Sequence, residues 1–347
     1  MHRYIVSRFL LVIPTLIGAA LLVYTLMRLI PGDICMIRLG GGGNSFSEQA
    51  LAACHAELGL DSPFGLTLKN MPHLWLLQPE TYWPVLRAIL GFLEYLWRLA
   101  RGDFGMSMWS GKPVIQEIAT RFPVSLEVAV MATLIAISIA IPLGTISALK
   151  QNTWIDMLVR TISIAGIATP SFWLGIMSIL LVLDVTQAIS GHPWMPSIDY
   201  VPLWKDPIRN LSIVMLPAIT VGYRYAAVSM RMTRSAMLEV LREDYIRTAR
   251  AKGLLEKIII NRHALKNALL PVVTVIGIEF AFLIGGLVVT EQVFNLNGIG
   301  RLMVLSVQNQ DYTLTQALVL LVVTIAVLTN LAVDLFYAWL DPRIRLS

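Results

Sequence analysis

Long apolar runs dominate the chain. Four runs without a formal charge reach the roughly 20 residues that cross the hydrocarbon layer of a bilayer, and they are residues 9–27, 128–149, 161–183 and 312–333. Two further segments are apolar but carry charges. The pattern predicts an all-α polytopic membrane protein with about six transmembrane helices, at about residues 9–30, 125–149, 161–183, 212–232, 268–290 and 315–340. We expect Pro170 to kink the third helix.

The first apolar segment could be mistaken for a secretory signal. It follows Arg3 and Arg8, but it is longer than the apolar part of a usual signal. Its small residues, Gly18-Ala19-Ala20, lie in its middle rather than at its end. We therefore interpret it as a retained helix that stops at Pro31-Gly32-Asp33.

A long region without a span follows, residues 31–122. A glycine-rich loop at 40–44 precedes Ser45 and Glu48, whose spacing fits a capping box and predicts a short helix ending near Gly59. Later, apolar residues recur at helical spacing over 86–100 among charged ones. That stretch predicts an amphipathic, interfacial helix, and a seventh span is the main alternative.

Composition agrees with a membrane protein, since 56% of the residues are hydrophobic and 14% are charged, against about 25% charged in soluble domains. The basic residues are concentrated in one loop, which gives no indication of nucleic-acid binding. With the amino terminus inside, the short inner segments hold fourteen Lys and Arg and the short outer loops hold three. This asymmetry predicts six spans with both termini cytoplasmic.

The predicted topology divides the chain into three parts. Residues 1–30 are the N-terminus and first transmembrane helix, 31–122 a periplasmic region, and 123–347 a transmembrane core that includes a cytoplasmic loop, 233–267. The two cysteines, Cys35 and Cys54, both fall in the periplasmic region. They could form a disulfide there or remain two buried thiols. The histidines share no spacing typical of a metal site.

The loop 233–267 is the most informative part of the chain. It contains a proline-free, helix-forming stretch that ends at Gly253, a residue suited to a helix C-cap. The small Thr248, Ala249, Ala251 and Gly253 would let a partner approach closely, and Arg247, Arg250 and Lys252 could pair with its acidic groups. A basic helix resting on anionic lipid headgroups is the alternative.

Two phrases of this loop, DYIRTARAKGL and RHALKNALLPVV, resemble the cytoplasmic loop of permease subunits of ATP-binding-cassette importers, most closely the dipeptide, oligopeptide and nickel branch. The general signature of those permeases has Glu-Ala-Ala, then a glycine, and later Leu-Pro. Here Arg247-Thr248-Ala249, Gly253 and Leu270-Pro271 stand in those places. The missing glutamate departs from the broad signature, although the peptide branch commonly reads this way.

The resemblance extends over nearly the whole chain, in the expected order. Further similar phrases are RFLLVIPTLIGAALLVYTLMRLIPGD, ELGLD, GDFGMSMWSGKPV, RFPVSLEVAV, IPLGTISALKQNTWIDMLVR, ATPSFWLG, EQVFNLNGIGRL, QDYTLTQALVL and NLAVDLFYAWLDPRIR. Residues 66–87 look like extra length in the outer loop, and Arg224 is less expected within a span.

The resemblance implies a fold, partners and a site. The fold is that of an importer permease in the bacterial inner membrane, with a long periplasmic loop after the first helix. The partners are a second homologous permease subunit, two ATPase subunits that bind ATP and Mg, and an extracytoplasmic solute-binding protein. The loop helix would be the coupling helix seated on the ATPase, through Glu243, Asp244, Tyr245, Arg247, Thr248, Ala249, Lys252 and Gly253.

No cofactor is expected in this chain. A Walker A motif needs GxxxxGK[ST] to hold phosphates, and Gly111-Lys112 is followed by Pro113. HExxH and GxSxG, which an intramembrane enzyme would be expected to carry, are also absent. We expect a non-catalytic transport subunit, powered by a separate polypeptide.

Charged residues within or beside the spans are candidates for function. Arg224 and Glu279 could line the pathway or pair with each other, and Glu291 could contribute to a gate. For Asp334, near the inner end of the sixth span, we expect a structural role. An ion-coupled secondary carrier is the rival class, although we find no convincing inverted repeat. Peptides are the expected substrates, with nickel complexes, glutathione or another small solute as alternatives.

Overall fold

The computed structural model describes residues 2–29, 35, 39, 48–58, 84–197 and 199–340. These residues form helices joined by turns, together with an isolated β-bridge between Met106 and Pro113. Six helices of the described part are long and apolar enough to cross a membrane. This confirms the predicted all-α, polytopic fold.

The helices are numbered here in chain order. They are α1 (His2–Leu29), α2 (Glu48–Leu58), α3 (Pro84–Ala100), α4 (Val114–Leu149), α5 (Trp154–Ala168), α6 (Ser171–Ser190), α7 (Pro207–Val240), α8 (Asp244–Ala251), α9 (Glu256–Ile258), α10 (Leu265–Gly286), α11 (Val288–Val293), α12 (Ile299–Gln308) and α13 (Tyr312–Leu340). A π-helical turn, Ile259–Ala264, joins α9 to α10 without a break.

The spans agree with the prediction in number and order but differ at their ends. The expected kink at Pro170 is a complete break, because α5 ends at Ala168 and α6 begins at Ser171. Proline has no backbone N–H and disfavours helical geometry in the residue before it, and Thr169 is indeed extended. The second and fourth spans are longer than predicted, since their polar ends continue as helix.

Several predicted features lie outside the described residues. They are the loop at 40–44, Ser45 of the capping box, residues 66–83 of the extra length and the C-terminal residues 341–347. Helix α2 confirms the short helix predicted before Gly59. The predicted amphipathic helix is α3, which is not among the six candidate spans.

The chain divides into two compact units. The first comprises the described residues of 1–12, 121–301 and 325–347, and the second those of 13–120 and 302–324. In the first unit α7 is the central helix, since it packs against α10, α5 and α6. Its core combines α4, α7 and α10 through small and aliphatic side chains, including Val128, Ala132, Val214, Ala218, Leu283 and Ile284.

Glycines set the distance between α4 and α7. A Cβ atom on Gly222 of α7 would lie 2.8 Å from the carbonyl oxygen of Ala132, and one on Gly144 of α4 would lie 2.7 Å from that of Met230. Small residues of this kind let helix backbones approach closely. In a bilayer, where the hydrophobic effect does not drive helices together, this close van der Waals packing holds them in contact. The two helices are therefore in near-backbone contact at two levels.

An ion pair joins the two ends of the first unit. Arg8 of α1 lies 3.2 Å from Asp334 of α13. This gives Asp334 the structural contact that we expected for it.

The second unit contains the disulfide that the sequence left open. Cys35 and Cys54 are bonded and pack against Leu51 and Met108. A second fixed point is the buried Asp311, whose Oδ2 accepts hydrogen bonds from the Ser107 hydroxyl at 2.5 Å and the Trp109 backbone N–H at 3.2 Å. The same carboxylate caps α13 through the N–H of Leu314.

Helix α3 has two different sides in this unit. Phe92 and Tyr95 contact Tyr24 of α1, with ring centroids 5.4 Å apart in each pair. Ile89, Leu93 and Trp97 are exposed at intervals of four residues. This apolar face is consistent with the interfacial helix that the sequence predicts.

We predict that Gly222→Ala destabilises the protein. The added methyl meets the backbone of Ala132 and cannot be accommodated by a rotamer change, so we expect a loss of about 1–3 kcal/mol. Thermal unfolding in detergent measures it. Gly286→Ala is the matched control, because a Cβ there meets nothing within 4 Å. Equal melting temperatures for the two variants would contradict the close packing of α4 and α7.

Candidate functional site

The most distinctive surface feature is helix α8, Asp244–Ala251, which lies between two candidate spans. The negative charge of Asp244 in its first turn stabilises the helix by interacting with the positive end of the helix dipole. Gly253 follows with φ +75°, the left-handed geometry in which helices commonly end. The structure thus confirms the predicted loop helix and the role of Gly253 as its terminator.

The inner side of α8 is packed into a hydrophobic cluster of the protein. Ile246 is fully buried and Ala249 is 9% exposed. Both belong to one cluster with residues from the ends of α4 and α7, the π-helical turn and α10: Ala148, Ala236, Met237, Ile259, Ala264 and Ala268. The helix is therefore packed against the adjoining ends of three candidate spans.

The outer side of α8 is free of such packing. The side chains of Asp244 and Arg247 are 95% and 74% exposed, and lie 3.5 Å apart. Thr248 and Lys252 are exposed as well, and Tyr245 is 41% exposed. This gives a short surface of mixed charge and small side chains that is available to another molecule.

Two polar contacts hold α8 to the span that follows it. The Asn267 side-chain amide donates to the Tyr245 hydroxyl at 2.7 Å. Arg250 donates to both carboxylate oxygens of Glu256, at 2.7 and 3.2 Å, and this hydrogen bonding raises the pKa of Arg250 further. Since α9 and α10 are continuous through the π-helical turn, these contacts connect α8 directly to the span.

The placement differs from the prediction at Ala249, while Arg250 is exposed as expected but already has a partner within the chain. We expected Ala249 and Arg250 to face a partner. Ala249 instead faces the core, because it lies three residues after Ile246 and on the same side of the helix. Arg250 is engaged by Glu256, a contact across a turn that sequence spacing did not indicate.

An ion pair with a buried carboxylate fixes α5 to α7 near this loop. Arg234 donates to both oxygens of Asp156, at 2.7 and 2.9 Å. Asp156 is 1% exposed and also accepts from the Ser147 hydroxyl and the Asn152 backbone N–H. The Arg234 hydrogen bonds, followed by those from Ser147 and Asn152, hold the pKa of the Asp156 carboxyl well below its usual range.

Arg224 and Glu279 do not form the ion pair that was one alternative for them. Arg224 stands near the middle of the 34-residue helix α7, is exposed, and has no ion pair or hydrogen bond within the described part of the chain. Glu279 is half-buried, and its Oε2 accepts from the Ser229 hydroxyl at 2.8 Å. Its Oε1 is buried without a hydrogen-bond partner among the described residues.

Glu291 is at the centre of a buried network. It is 1% exposed, and it accepts from the Ser125 hydroxyl at 2.6 Å and the Arg301 backbone N–H at 2.7 Å. Ser125 in turn accepts from the N–H of Ile299, at the start of α12. Burial raises the pKa of Glu291, while these donors act in the opposite direction. The network ties α4, α11 and α12 together.

Gly298 is needed for this network to close. A Cβ atom there would collide with the Glu291 carboxylate and the Ser125 hydroxyl. Sequence reasoning identified Glu291 and the phrase around Gly298 but missed Ser125, Asp156 and Arg234. The only sequence signal for these three residues is a charged or hydroxyl side chain near the edge of an apolar run. Such side chains are common at these positions, so the signal does not distinguish the residues that form the contacts.

Comparison with known proteins agrees with this architecture. Residues 140–346 match the family described as binding-protein-dependent transport system inner membrane component. The matched range contains α8 and both of its flanking spans.

Whole-length relatives are also similar. The chain is 38% identical to the dipeptide transport system permease protein DppB of Escherichia coli (strain K12), over 99% of both chains. It is 36% identical to a putative peptide transport system permease protein of Brucella suis biovar 1 (strain 1330), over 99% of both. The DppB protein of Alkalihalophilus pseudofirmus is 36% identical over 99% of this chain and all of its own length.

We predict that Asp156→Asn lowers stability by about 3 kcal/mol at neutral pH, because it removes the counter-charge of Arg234, whose side chain is only 19% exposed. The folded-state pKa of Asp156 is depressed, so its contribution is present above the ordinary pKa of 3.8 and is lost as pH falls below it. The difference in melting temperature between wild type and variant should therefore shrink from pH 7 to pH 3. A difference that does not depend on pH would contradict the ionised pair.

Proposed function

This chain belongs to the family of binding-protein-dependent transport system inner membrane components, and from that premise we propose that it is a permease subunit of an ATP-binding-cassette importer. Its substrates are di- and oligopeptides, which it translocates across the bacterial inner membrane. The peptide class is supported by relatives named for dipeptide or peptide transport, which align over the whole chain.

The proposed assembly contains several other polypeptides. A second homologous permease subunit completes the pathway, since six helices alone seldom enclose a route for a peptide. Two ATPase subunits bind ATP and Mg below the membrane, and a solute-binding protein delivers the substrate from outside. A binding protein is part of the description of this chain's family.

The observation that carries the proposal is the two-sided character of α8. Its inner side is packed in the core formed by three spans, and its outer side is exposed. A helix of this kind can receive a force at its outer surface and pass it to the spans. We propose that the surface that meets the ATPase is formed or bordered by Glu243, Asp244, Tyr245, Arg247, Thr248, Lys252 and Gly253. Ala249 instead contributes to the packing at the inner side.

Coupling requires a difference in binding energy. Nucleotide shifts the permease between inward-open and outward-open states only if the ATPase in each nucleotide state binds one of them more tightly. The Arg250–Glu256 pair and the Tyr245–Asn267 hydrogen bond link α8 to α9 and α10 in this scheme. The fifth candidate span is thus the first element to follow a displacement of α8.

Three observations support an orientation with both termini inside. Basic residues are concentrated in the loop that contains α8. The disulfide between Cys35 and Cys54 is compatible with an oxidising compartment on the other side of the membrane. The Arg8–Asp334 ion pair holds the start of α1 beside the end of α13, as expected if both termini lie on one side of the membrane.

Arg224 and Glu279 are the proposed polar residues of the pathway. A charged side chain at the middle of a span is costly in lipid, by about 3 kcal/mol or more. The exposed face of α7 that carries Arg224 therefore meets water or a partner subunit rather than acyl chains. Glu291 has a different proposed role, because its carboxylate is fully enclosed and fixes the outer loop beside the gate.

We predict that Thr248→Trp weakens ATPase binding by about thirtyfold, as expected for an obstructed interface hot spot. Transport into proteoliposomes should fall with it, while the fold is retained because Thr248 is exposed. Co-purification and binding titration with the ATPase subunits measure the effect.

The matched control is Thr153→Trp, at an exposed threonine of the loop between α4 and α5. It should bind the ATPase like wild type. Equal binding by the two variants would show that α8 is not the coupling surface. ATP-independent uptake driven by an ion gradient would instead support a secondary carrier.

We predict that Arg224→Gln lowers peptide uptake by about tenfold without changing subunit assembly, because one charge-assisted hydrogen bond in the pathway is worth about 1.5–3 kcal/mol. Initial uptake rates and subunit stoichiometry in the reconstituted complex test it. Arg209→Gln, at the exposed outer end of the same helix, serves as control. Unchanged uptake for Arg224→Gln would remove this residue from the pathway.

A further inference from the structure

A cavity of about 470 Å³ lies between the start of α5, the end of α4 and the inner half of α7, outside the α8 surface. Three arginines line it, Arg160, Arg231 and Arg234. Arg234 is already committed to Asp156. Arg160 and Arg231 are exposed and form no ion pair or hydrogen bond with any described residue. The cavity therefore presents two uncompensated positive charges.

The remaining lining divides into a polar and an apolar part. Ser147, Gln151 and Asn152 lie toward the loop between α4 and α5, and Ile164 and Ile167 lie farther along α5. Arg160, Ile164 and Ile167 are four and three residues apart, so they follow one another on one side of the helix. An anion bound at Arg160 and Arg231 would thus have a continuous aliphatic wall beside it.

The surface around the cavity is suited to lipid. Helix α5 exposes Trp154, Met157 and Ile164 at 73%, 69% and 61%. Tryptophan is enriched where a span enters the headgroup layer, and Trp154 is the first residue of α5. Basic pockets between helices at the cytoplasmic face are suited to acidic phospholipid headgroups.

We propose that this cavity binds the phosphate headgroup of an anionic phospholipid from the inner leaflet, with Arg160 and Arg231 as the phosphate ligands and Ile164 and Ile167 against an acyl chain. The charge of the two arginines selects the anionic headgroup, and the aliphatic wall distinguishes a lipid from a soluble anion. The inner-leaflet assignment rests on the orientation proposed above.

The rigid wall of the cavity gives the bound lipid a structural consequence. Asp156 and Arg234 hold α5 and α7 together at the polar end, and the Ser163 hydroxyl contacts the Met230 sulfur at 3.2 Å deeper in. A phosphate between Arg160 of α5 and Arg231 of α7 adds a third link between the same two helices. Lipid composition would then change the stability of the helix pair that adjoins the coupling loop.

Native mass spectrometry of the full chain, purified in mild detergent without ATPase subunits, tests the proposal. Phosphatidylglycerol and phosphatidylcholine with identical acyl chains are the probes. We expect one phosphatidylglycerol to bind in preference to phosphatidylcholine. In Arg160→Gln/Arg231→Gln the affinity for phosphatidylglycerol should fall about thirtyfold, and in each single variant about fivefold, from roughly equal contributions of the two charges.

The control is Lys257→Gln/Arg262→Gln, which removes two exposed charges from the α8 loop and should bind phosphatidylglycerol like wild type. Melting temperatures without lipid show whether each variant is folded, and the single variants keep the test available if the double variant unfolds. Equal binding of the two lipids, or equal loss in the control, would overturn the proposal.

Two further arms distinguish the source of the anion. Inorganic phosphate at millimolar concentration should neither displace phosphatidylglycerol nor stabilise the chain as much. If it does both, the site takes a soluble anion and the lipid assignment is wrong. Displacement by a tripeptide would place the cavity in the transport pathway and would likewise overturn it. Because no ATPase is present, failure here is separate from failure of the proposed coupling by α8.

Discussion

The packing of Ile246 and Ala249 into the ends of the spans is the contact on which the account depends. A surface helix of eight residues has too few backbone hydrogen bonds to be stable alone. Its geometry is therefore supplied by the cluster with Met237, Ile259 and Ala264. Without that contact, α8 would be a flexible loop segment, and a force applied to its outer surface would be lost in local motion.

The first compact unit, which contains α8, is also stabilised by polar contacts between its helices. Asp156 and Arg234 tie α5 to α7 near the loop, and Glu291 and Ser125 tie α4 to α11 and α12 at the other end. The backbones of α4 and α7 are in close contact at their glycines, and this contact opposes sliding of one helix along the other. A rigid group of helices with a packed loop helix at one end is the arrangement expected of an element moved as a body.

The fold could be predicted from the sequence to a large extent, because spans of the required length have a strong apolar signal. What the prediction missed depends on contacts between distant residues. At Pro170 the sequence predicted a kink where the structure has a break. A proline alone does not show whether neighbouring helices supply hydrogen-bond partners for the backbone groups that it leaves unpaired. The short helix α12 has its start fixed by Glu291 and Ser125, which lie far apart in the chain.

The candidate site was predictable in position but not in orientation. Resemblance located the loop helix and Gly253, and the structure has both. Which residues face inward followed only from packing, and it placed Ala249 against the core. The cavity at Arg160 and Arg231 was not predicted at all, because these arginines belong to different helices and are brought together by the antiparallel course of α5 and α7.

The most direct test of rigid coupling is a distance measurement within this chain in the assembled complex. Spin labels on cysteines introduced at the exposed positions Ala251 and Lys266 would report the spacing between α8 and α10, and the native cysteines are joined in a disulfide. Rigid coupling predicts the same distance distribution without nucleotide and with ATP bound. A distribution that shifts on ATP binding would mean that α8 moves apart from the spans, and would contradict the account.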